Sequence, residues 1–198
     1  MKKRFLILLL AFAVIMGAAI FGYDYLTADY EMPTAQPQES SKPQSDESSS
    51  SQAQEKEPIP APDFTVADGE GNEVKLSDFF GKPIVLNFWA SWCGPCKNEM
   101  PHFEKAYTEY GDEVNFVMVN STDGIRETVD KASEYITGEG YTFPVYFDTQ
   151  SIAAYTYGVS SLPSTLFIDA DGNAIAGYIG TLSEKTLMTN IESLLEEK

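Results

Sequence analysis

Trp92-Cys93-Gly94-Pro95-Cys96 decides how this chain is read, because it holds the only two cysteines among 198 residues. Before it runs Ile84-Val85-Leu86-Asn87-Phe88-Trp89-Ala90, apolar apart from Asn87. Such a run predicts a central strand covered on both faces. After it, from Lys97 to Tyr110, the residues Met100, Phe103, Tyr107 and Tyr110 recur at spacings of three, four and three. That period predicts an amphipathic helix, with Gly111 at its end. The two thiols therefore stand where a strand ends and a helix begins.

Two cysteines separated by two residues beside a β-α-β pattern read as a redox motif. Cys93 falls at the helix N-terminus, where free N–H groups and the helix dipole favour a thiolate, the attacking form of sulfur. Cys96, one turn inside, is placed to attack a mixed disulfide and release its substrate. A structural staple is a poor alternative. Loop closure gives roughly 2 kcal/mol for so short a loop against about 5 for one of 100 residues. A zinc site needs four Cys or His ligands, and the chain has two Cys and one His, so no metal is expected. That histidine, His102, lies nine residues past Cys93, about 2.5 helical turns. It is expected on the far side of the helix, as an exposed structural side chain rather than a dyad partner.

Outward from this centre the elements alternate. Phe64-Thr65-Val66 and Glu73-Val74-Lys75-Leu76 flank a Gly-rich turn and predict a hairpin. Ser77 to Gly81 predicts one helical turn. Val114 to Asn120 predicts a second buried strand. Ile125, Val129, Ala132 and Ile136 predict a helix ended by Gly138 and Gly140. Phe143 to Phe147 predicts a third strand and Ser151 to Tyr157 a short helix. Ser164 to Ile168 and Ala174 to Tyr178 predict a second hairpin around Asp169-Ala170-Asp171-Gly172-Asn173. Ser183 is set to N-cap a last helix with Leu187, Ile191, Leu194 and Leu195 inside. The order predicts an α/β fold with a central mixed sheet flanked by helices.

Thirteen basic residues oppose thirty acidic ones, for a net charge of −17. This excludes nucleic acid as a partner, since phosphates need a basic surface. Residues 1–28 read as a targeting segment. Met1-Lys2-Lys3-Arg4 precedes Phe5 to Tyr23, 19 residues without a charge. That length spans a bilayer core, and the charges place the N-terminus inside. The other reading is a signal peptide cleaved near Gly17-Ala18-Ala19. Residues 29–60 read as a Ser/Pro/Gln-rich disordered linker, and residues 61–198 as one domain.

The motif Trp92 to Lys97 after Asn87-Phe88-Trp89-Ala90 resembles the thioredoxin superfamily. Asp63-Phe64, Leu76-Ser77-Asp78 and Gly81-Lys82 narrow the resemblance to membrane-anchored, extracytoplasmic thiol-disulfide oxidoreductases of the TlpA/ResA type. The resemblance implies a thioredoxin fold with an added N-terminal β-hairpin and a βα insertion. It implies that Ser161 to Thr165 is a cis-proline loop, with Pro163 cis and the backbone of Leu162 receiving an incoming peptide. It also implies that Glu99 is a buried carboxylate tuning the thiols. The alternative for Glu99 is a solvated helix position like Glu104 or Glu109. Asn87 stands where thioredoxins proper carry a buried aspartate.

Cys93, Cys96 and Glu99 are thus the expected catalytic set, and Trp92, Gly94, Pro95, Leu162 and Pro163 the expected substrate surface. No cofactor is expected beyond the Cys93–Cys96 pair. The expected activity is reduction of protein disulfides outside the cytoplasmic membrane, in cytochrome c maturation or in repair of oxidised extracellular proteins. With no second cysteine pair, electrons must come from another protein, which the resemblance implies is a membrane thiol carrier of the CcdA type. A monomer is expected. Two departures stay open: a disulfide-forming oxidase, and a tethered binding or chaperone module. Gly94-Pro95 differs from the Glu-Pro of ResA-like members, which weakens transfer of their substrate preference.

Overall fold

The computed structural model describes residues 58–196. Seven strands form one sheet in the order β2-β1-β5-β4-β3-β6-β7. The strands are β1 Thr65–Ala67, β2 Glu73–Lys75, β3 Ile84–Trp89, β4 Asn115–Asn120, β5 Val145–Phe147, β6 Ser164–Ile168 and β7 Ala174–Ile179. Four α-helices join them: α1 Gly94–Tyr110, α2 Val129–Glu139, α3 Ile152–Thr156 and α4 Glu184–Glu196. A 3₁₀ turn covers Leu76–Phe79.

The strand that leads into the dithiol is the spine of the sheet. All six residues of β3 are buried. It pairs in parallel with β4 on one side and antiparallel with β6 on the other. Its side chains alternate between the two faces, as a period of two requires. Val85 and Trp89 join Met100, Phe103 and Ala106 of α1 and Leu187, Ile191 and Leu194 of α4 in one core. Ile84, Leu86 and Phe88 join Phe64, Leu76 and Ala153 of α3 in the other. Burying each such large side chain contributes roughly 1.5–3 kcal/mol. Asn87 falls on the α1 face, which makes it the polar exception in an apolar layer.

β1 and β2 form the expected hairpin, and β5 runs parallel to β4. The helix–strand–helix run α2-β5-α3 supplies the insertion between the βαβ unit and the closing β6-β7-α4 unit. Both hairpins close on an Asp-x-x-Gly-Asn turn. Asp68 and Asp169 each accept from the backbone and side-chain nitrogens of the Asn four residues on. The chain entering the domain is already paired, with Ala174 N–H donating to Ile59 O and Ala61 N–H to Gly172 O, both at 2.8 Å.

Three expectations are corrected. Ile125 does not belong to α2. It is 86% exposed, and the helix begins at Val129 behind Thr128, whose side chain accepts from Lys131 N–H. The third strand starts at Val145, after Pro144, and lies inside the sheet between β1 and β4. The short helix is confined to Ile152–Thr156. Ser183 does cap the last helix, accepting from Thr186 N–H at 3.1 Å. Among the described residues no helix is long and apolar enough to cross a membrane. The expected anchor at 1–28 and most of the expected linker lie outside the described residues.

Candidate active site

β3 delivers the chain to the site and α1 carries it away. Cys93 is the N-cap of α1, in extended backbone, and Pro95 occupies the first turn, where its missing N–H costs nothing. The two cysteines are joined as a disulfide. Cys96 N–H donates to Cys93 Sγ at 3.2 Å. This places the Cys93 sulfur on the free N–H groups of the helix end, where negative charge is stabilised. Cys93 keeps 4% of its surface exposed while Cys96 keeps none. The order of exposure matches an outer attacking sulfur and an inner resolving one. Gly94 and Pro95 are exposed, and Trp92 is 41% exposed. Trp89 is fully buried core, as its position on β3 requires.

Glu99 sits one turn beyond Cys96 and is fully buried. The solvated-carboxylate alternative is therefore overturned. Its Oε2 accepts from Leu182 N–H at 2.8 Å and its Oε1 from Asn87 Nδ2 at 3.0 Å. Burial pushes its pKa up to about 7, against the opposing effect of these two hydrogen bonds. Asn87 Nδ2 also donates to Thr165 Oγ1 at 3.0 Å. The β3–β6 register pairs Asn87 directly with Thr165, so both side chains stand on the α1 face beneath Glu99. The Asn87 Oδ1 atom is buried without a partner.

The peptide bond Leu162–Pro163 is cis, as the resemblance implied. Leu162 and Pro163 lie just before β6, and Pro163 O accepts from Gly180 N–H at 2.8 Å. Among the described residues neither the N–H nor the C=O of Leu162 has a hydrogen-bond partner. Leu162 is also partly exposed. These are the two groups an added strand would use.

The segment Gly180-Thr181-Leu182, which the sequence did not single out, ties the parts together. Gly180 bonds the cis-proline loop, Thr181 Oγ1 donates to Pro95 O at 3.3 Å, and Leu182 N–H holds Glu99. His102 belongs to the same stitch. Its Nδ1–H donates to Leu182 O at 3.2 Å and the ring is partly buried, so the exposed histidine expected from the sequence is corrected. It takes no place beside the cysteines.

On the opposite flank stands a second buried carboxylate that sequence reasoning missed. Glu127 is fully buried. Its Oε1 accepts from Ser91 N–H and Asn120 Nδ2, and its Oε2 from Ser91 Oγ, all at 2.7 Å. It fastens the loop after β4 to the residue before Trp92. The neighbouring Arg126 lays its guanidinium over the Trp92 ring, 3.6 Å from the centroid.

With the site built, its relatives can be set beside it. Residues 59–176 match the AhpC/TSA family. The thiol-disulfide oxidoreductase ResA of Geobacillus thermodenitrificans is 35% identical over 134 residues, covering 68% of this chain and 75% of that protein. The crystal structure of the thiol:disulfide interchange protein DsbE from Chlorobium tepidum superposes with a TM-score of 0.63 at 30% identity, covering 70% of this chain and 96% of that one. The exposed lipoprotein thioredoxin of Streptococcus pneumoniae superposes at 0.59 with 30% identity, covering 67% and 99%. A dithiol on a helix N-terminus, a cis-proline loop and relatives that share this fold lead to one conclusion: the chain belongs to the AhpC/TSA family of the thioredoxin superfamily and is a thiol-disulfide oxidoreductase of the ResA/DsbE type.

Proposed function

We propose that the protein reduces disulfides of other proteins on the outer side of the cytoplasmic membrane, tethered there by residues 1–28. The observation that carries the reading is the Cys93 sulfur on the Cys96 N–H at the N-cap of α1, with the more deeply buried Cys96 behind it. Starting from the dithiol, the Cys93 thiolate attacks one sulfur of a substrate disulfide. A Cys93–substrate disulfide forms, and the substrate's other sulfur leaves as a thiolate and takes a proton. Cys96, as thiolate, then attacks Cys93 Sγ. The mixed disulfide breaks, the second substrate sulfur leaves and is protonated, and Cys93–Cys96 closes. Two electrons and two protons pass to the substrate. Glu99, buried one turn from Cys96 and poised near neutral pH, is the proton partner for the inner thiol. The unpaired backbone groups of Leu162 hold the substrate as an added strand, with Trp92, Gly94 and Pro95 against it.

Each cycle leaves the protein oxidised, and a membrane thiol carrier of the CcdA type is the reading for its reductant. Proteins outside the cytosol keep disulfides, and the haem-attachment dithiol of cytochromes c and oxidised extracellular proteins are the substrate classes proposed. The test is insulin reduction by the full chain with dithiothreitol as electron source. Wild type should accelerate it and Cys93→Ser should not. Full activity in Cys93→Ser would overturn the mechanism. No activity in the wild type would leave the tethered binding module as the reading. A reduction potential near −120 mV rather than about −270 mV would reverse the direction to disulfide formation.

A further inference from the structure

Arg126 is the least expected group at the site. Only seven basic residues lie among residues 58–196, against twenty-one acidic ones. Three of the seven sit on one side of the dithiol. Arg126 covers Trp92, the residue before Cys93. Lys97, the residue after Cys96, places Nζ over the Tyr135 ring at 4.8 Å. Lys131 stands one turn before Tyr135 on α2, and its Nζ bonds Arg126 O at 2.9 Å.

The loop that presents Arg126 is built rather than slack. Asp123 Oδ1 accepts from the N–H groups of Ile125, Arg126 and Glu127 at 2.8, 2.7 and 2.9 Å. Gly124 adopts φ +74°, a left-handed conformation that suits glycine, and its N–H donates to Glu127 O. Glu127 then locks the loop to Ser91. Among the described residues the guanidinium of Arg126 forms no hydrogen bond and no ion pair; the one ion pair is Lys105–Glu184. Its planar fork lies over an aromatic face with its donors unspent, and arginine so placed can meet a carboxylate two bonds at a time. Of the nearby acids, Glu127 is filled by three donors and Asp123 has one oxygen, Oδ1, taken by three N–H groups; neither bonds the Arg126 side chain.

We infer that Arg126, stacked on Trp92 beside Cys93, is a specificity-determining residue that favours disulfides carrying a carboxylate next to the attacked sulfur. The inference rests on Cys93 as the exchanging sulfur and holds for either net direction. The overall negative charge of the domain works against an acidic partner at long range. At about 0.15 M salt, however, exposed charges more than roughly 8 Å apart are screened, and the local cation decides.

The test uses the reduced full chain with Cys96→Ala and two peptides that differ only in Glu or Lys beside a cysteine bearing a pyridylthio group. Cys93 thiolate attacks the peptide sulfur, the mixed disulfide forms, and pyridine-2-thione leaves and is read by absorbance. Each rate is divided by the same variant's rate with dipyridyl disulfide. The Glu peptide should lead the Lys peptide by about fivefold at 0.15 M salt, and the lead should collapse in 1 M salt. Arg126→Glu should invert the preference. Arg126→Lys should keep its sign at a smaller ratio, because an ammonium cannot offer the fork. Lys75→Glu, at the β2 edge of the sheet, should keep the full fivefold. A wild-type ratio surviving in Arg126→Glu overturns the inference. So does a fall in the undivided rates that is equal for both peptides and for dipyridyl disulfide, which would mean that Arg126 acts only on the Cys93 thiolate. Failure of the parent chain with every disulfide, dipyridyl disulfide included, overturns the exchange reading beneath it and the inference together.

Discussion

Two glutamates flank the dithiol, both fully buried, yet the structure uses them in opposite ways. Glu99 lies on the buried face of α1 and accepts two hydrogen bonds, from Leu182 N–H and from an Asn87 amide whose own oxygen is unpartnered. Burial wins there, and the carboxyl is raised to about 7. Glu127 lies under the loop after β4 and accepts three bonds of 2.7 Å from two separate segments. Its oxygens are committed to holding Ser91 and Asn120 together. One residue type at equal exposure thus gives a carboxyl raised by burial and a clasp between two segments, with two donors at the first and three at the second.

The largest expected effect tests Glu127. Glu127→Ala leaves the part-buried Ser91 N–H and hydroxyl and the buried Asn120 amide without their acceptor, each costing up to about 1–3 kcal/mol when unpaired. The full chain should lose about 4 kcal/mol, read from the midpoint of denaturant unfolding at constant slope. A loss under about 1 kcal/mol would mean that water replaces the carboxylate, and the distinction between the two glutamates would fail on its structural side.

Glu99 gives the next effect, and its sign is opposite. Below pH 4.5 the group is protonated in folded and unfolded chains alike. Between 4.5 and about 7 the unfolded chain ionises first, so the folded state is disfavoured progressively. Above about 7 the loss is complete, at about 3 kcal/mol. Glu99→Gln cannot ionise. The difference in unfolding free energy between variant and wild type should therefore grow in the variant's favour from pH 4.5 to 7 and then level off. The orphan Asn87 Oδ1 can accept from the new amide, which removes the main penalty of the substitution. Parallel pH profiles for the two proteins would show that burial does not penalise this charge.

The two glutamates also show what a sequence exposes. Helix geometry puts Glu99 near the face of Cys96, three residues before it, but its burial was legible only through the resemblance. β3 and α1 are legible because their periods of two and 3.6 are local. Glu127 is not. Its role depends on Ser91, 36 residues earlier, brought near by the parallel pairing of β3 with β4. The spacing Ile125, Val129, Ala132 even hid it, because it continues the helical stripe backward through a loop. The local signals were Asp123-Gly124 as a turn and Thr128 as an N-cap, and both are what the structure uses. Leu182 and Gly180 act through main-chain atoms, which no side-chain pattern records. The cis state of Pro163 came from resemblance, not from any residue-level rule.

The smallest effect bears on chemistry rather than stability. When the disulfide is reduced, an ionised Glu99 one turn from Cys96 opposes a second negative charge in the same pocket. Glu99→Gln removes that opposition. The pH midpoint for iodoacetamide alkylation of Cys93 should fall by about one unit, about 1.4 kcal/mol of like-charge opposition. The profile should also simplify to a single titration, because two groups no longer share it. Glu127→Gln is the control within the comparison. Its oxygens are held by three donors on the Ser91 and Asn120 side of the motif, so the midpoint should stay while stability falls. Equal shifts in the two variants would erase the division of labour between the glutamates. A shift in Glu127→Gln alone would make the loop carboxylate, not the helix one, the group that tunes the thiols.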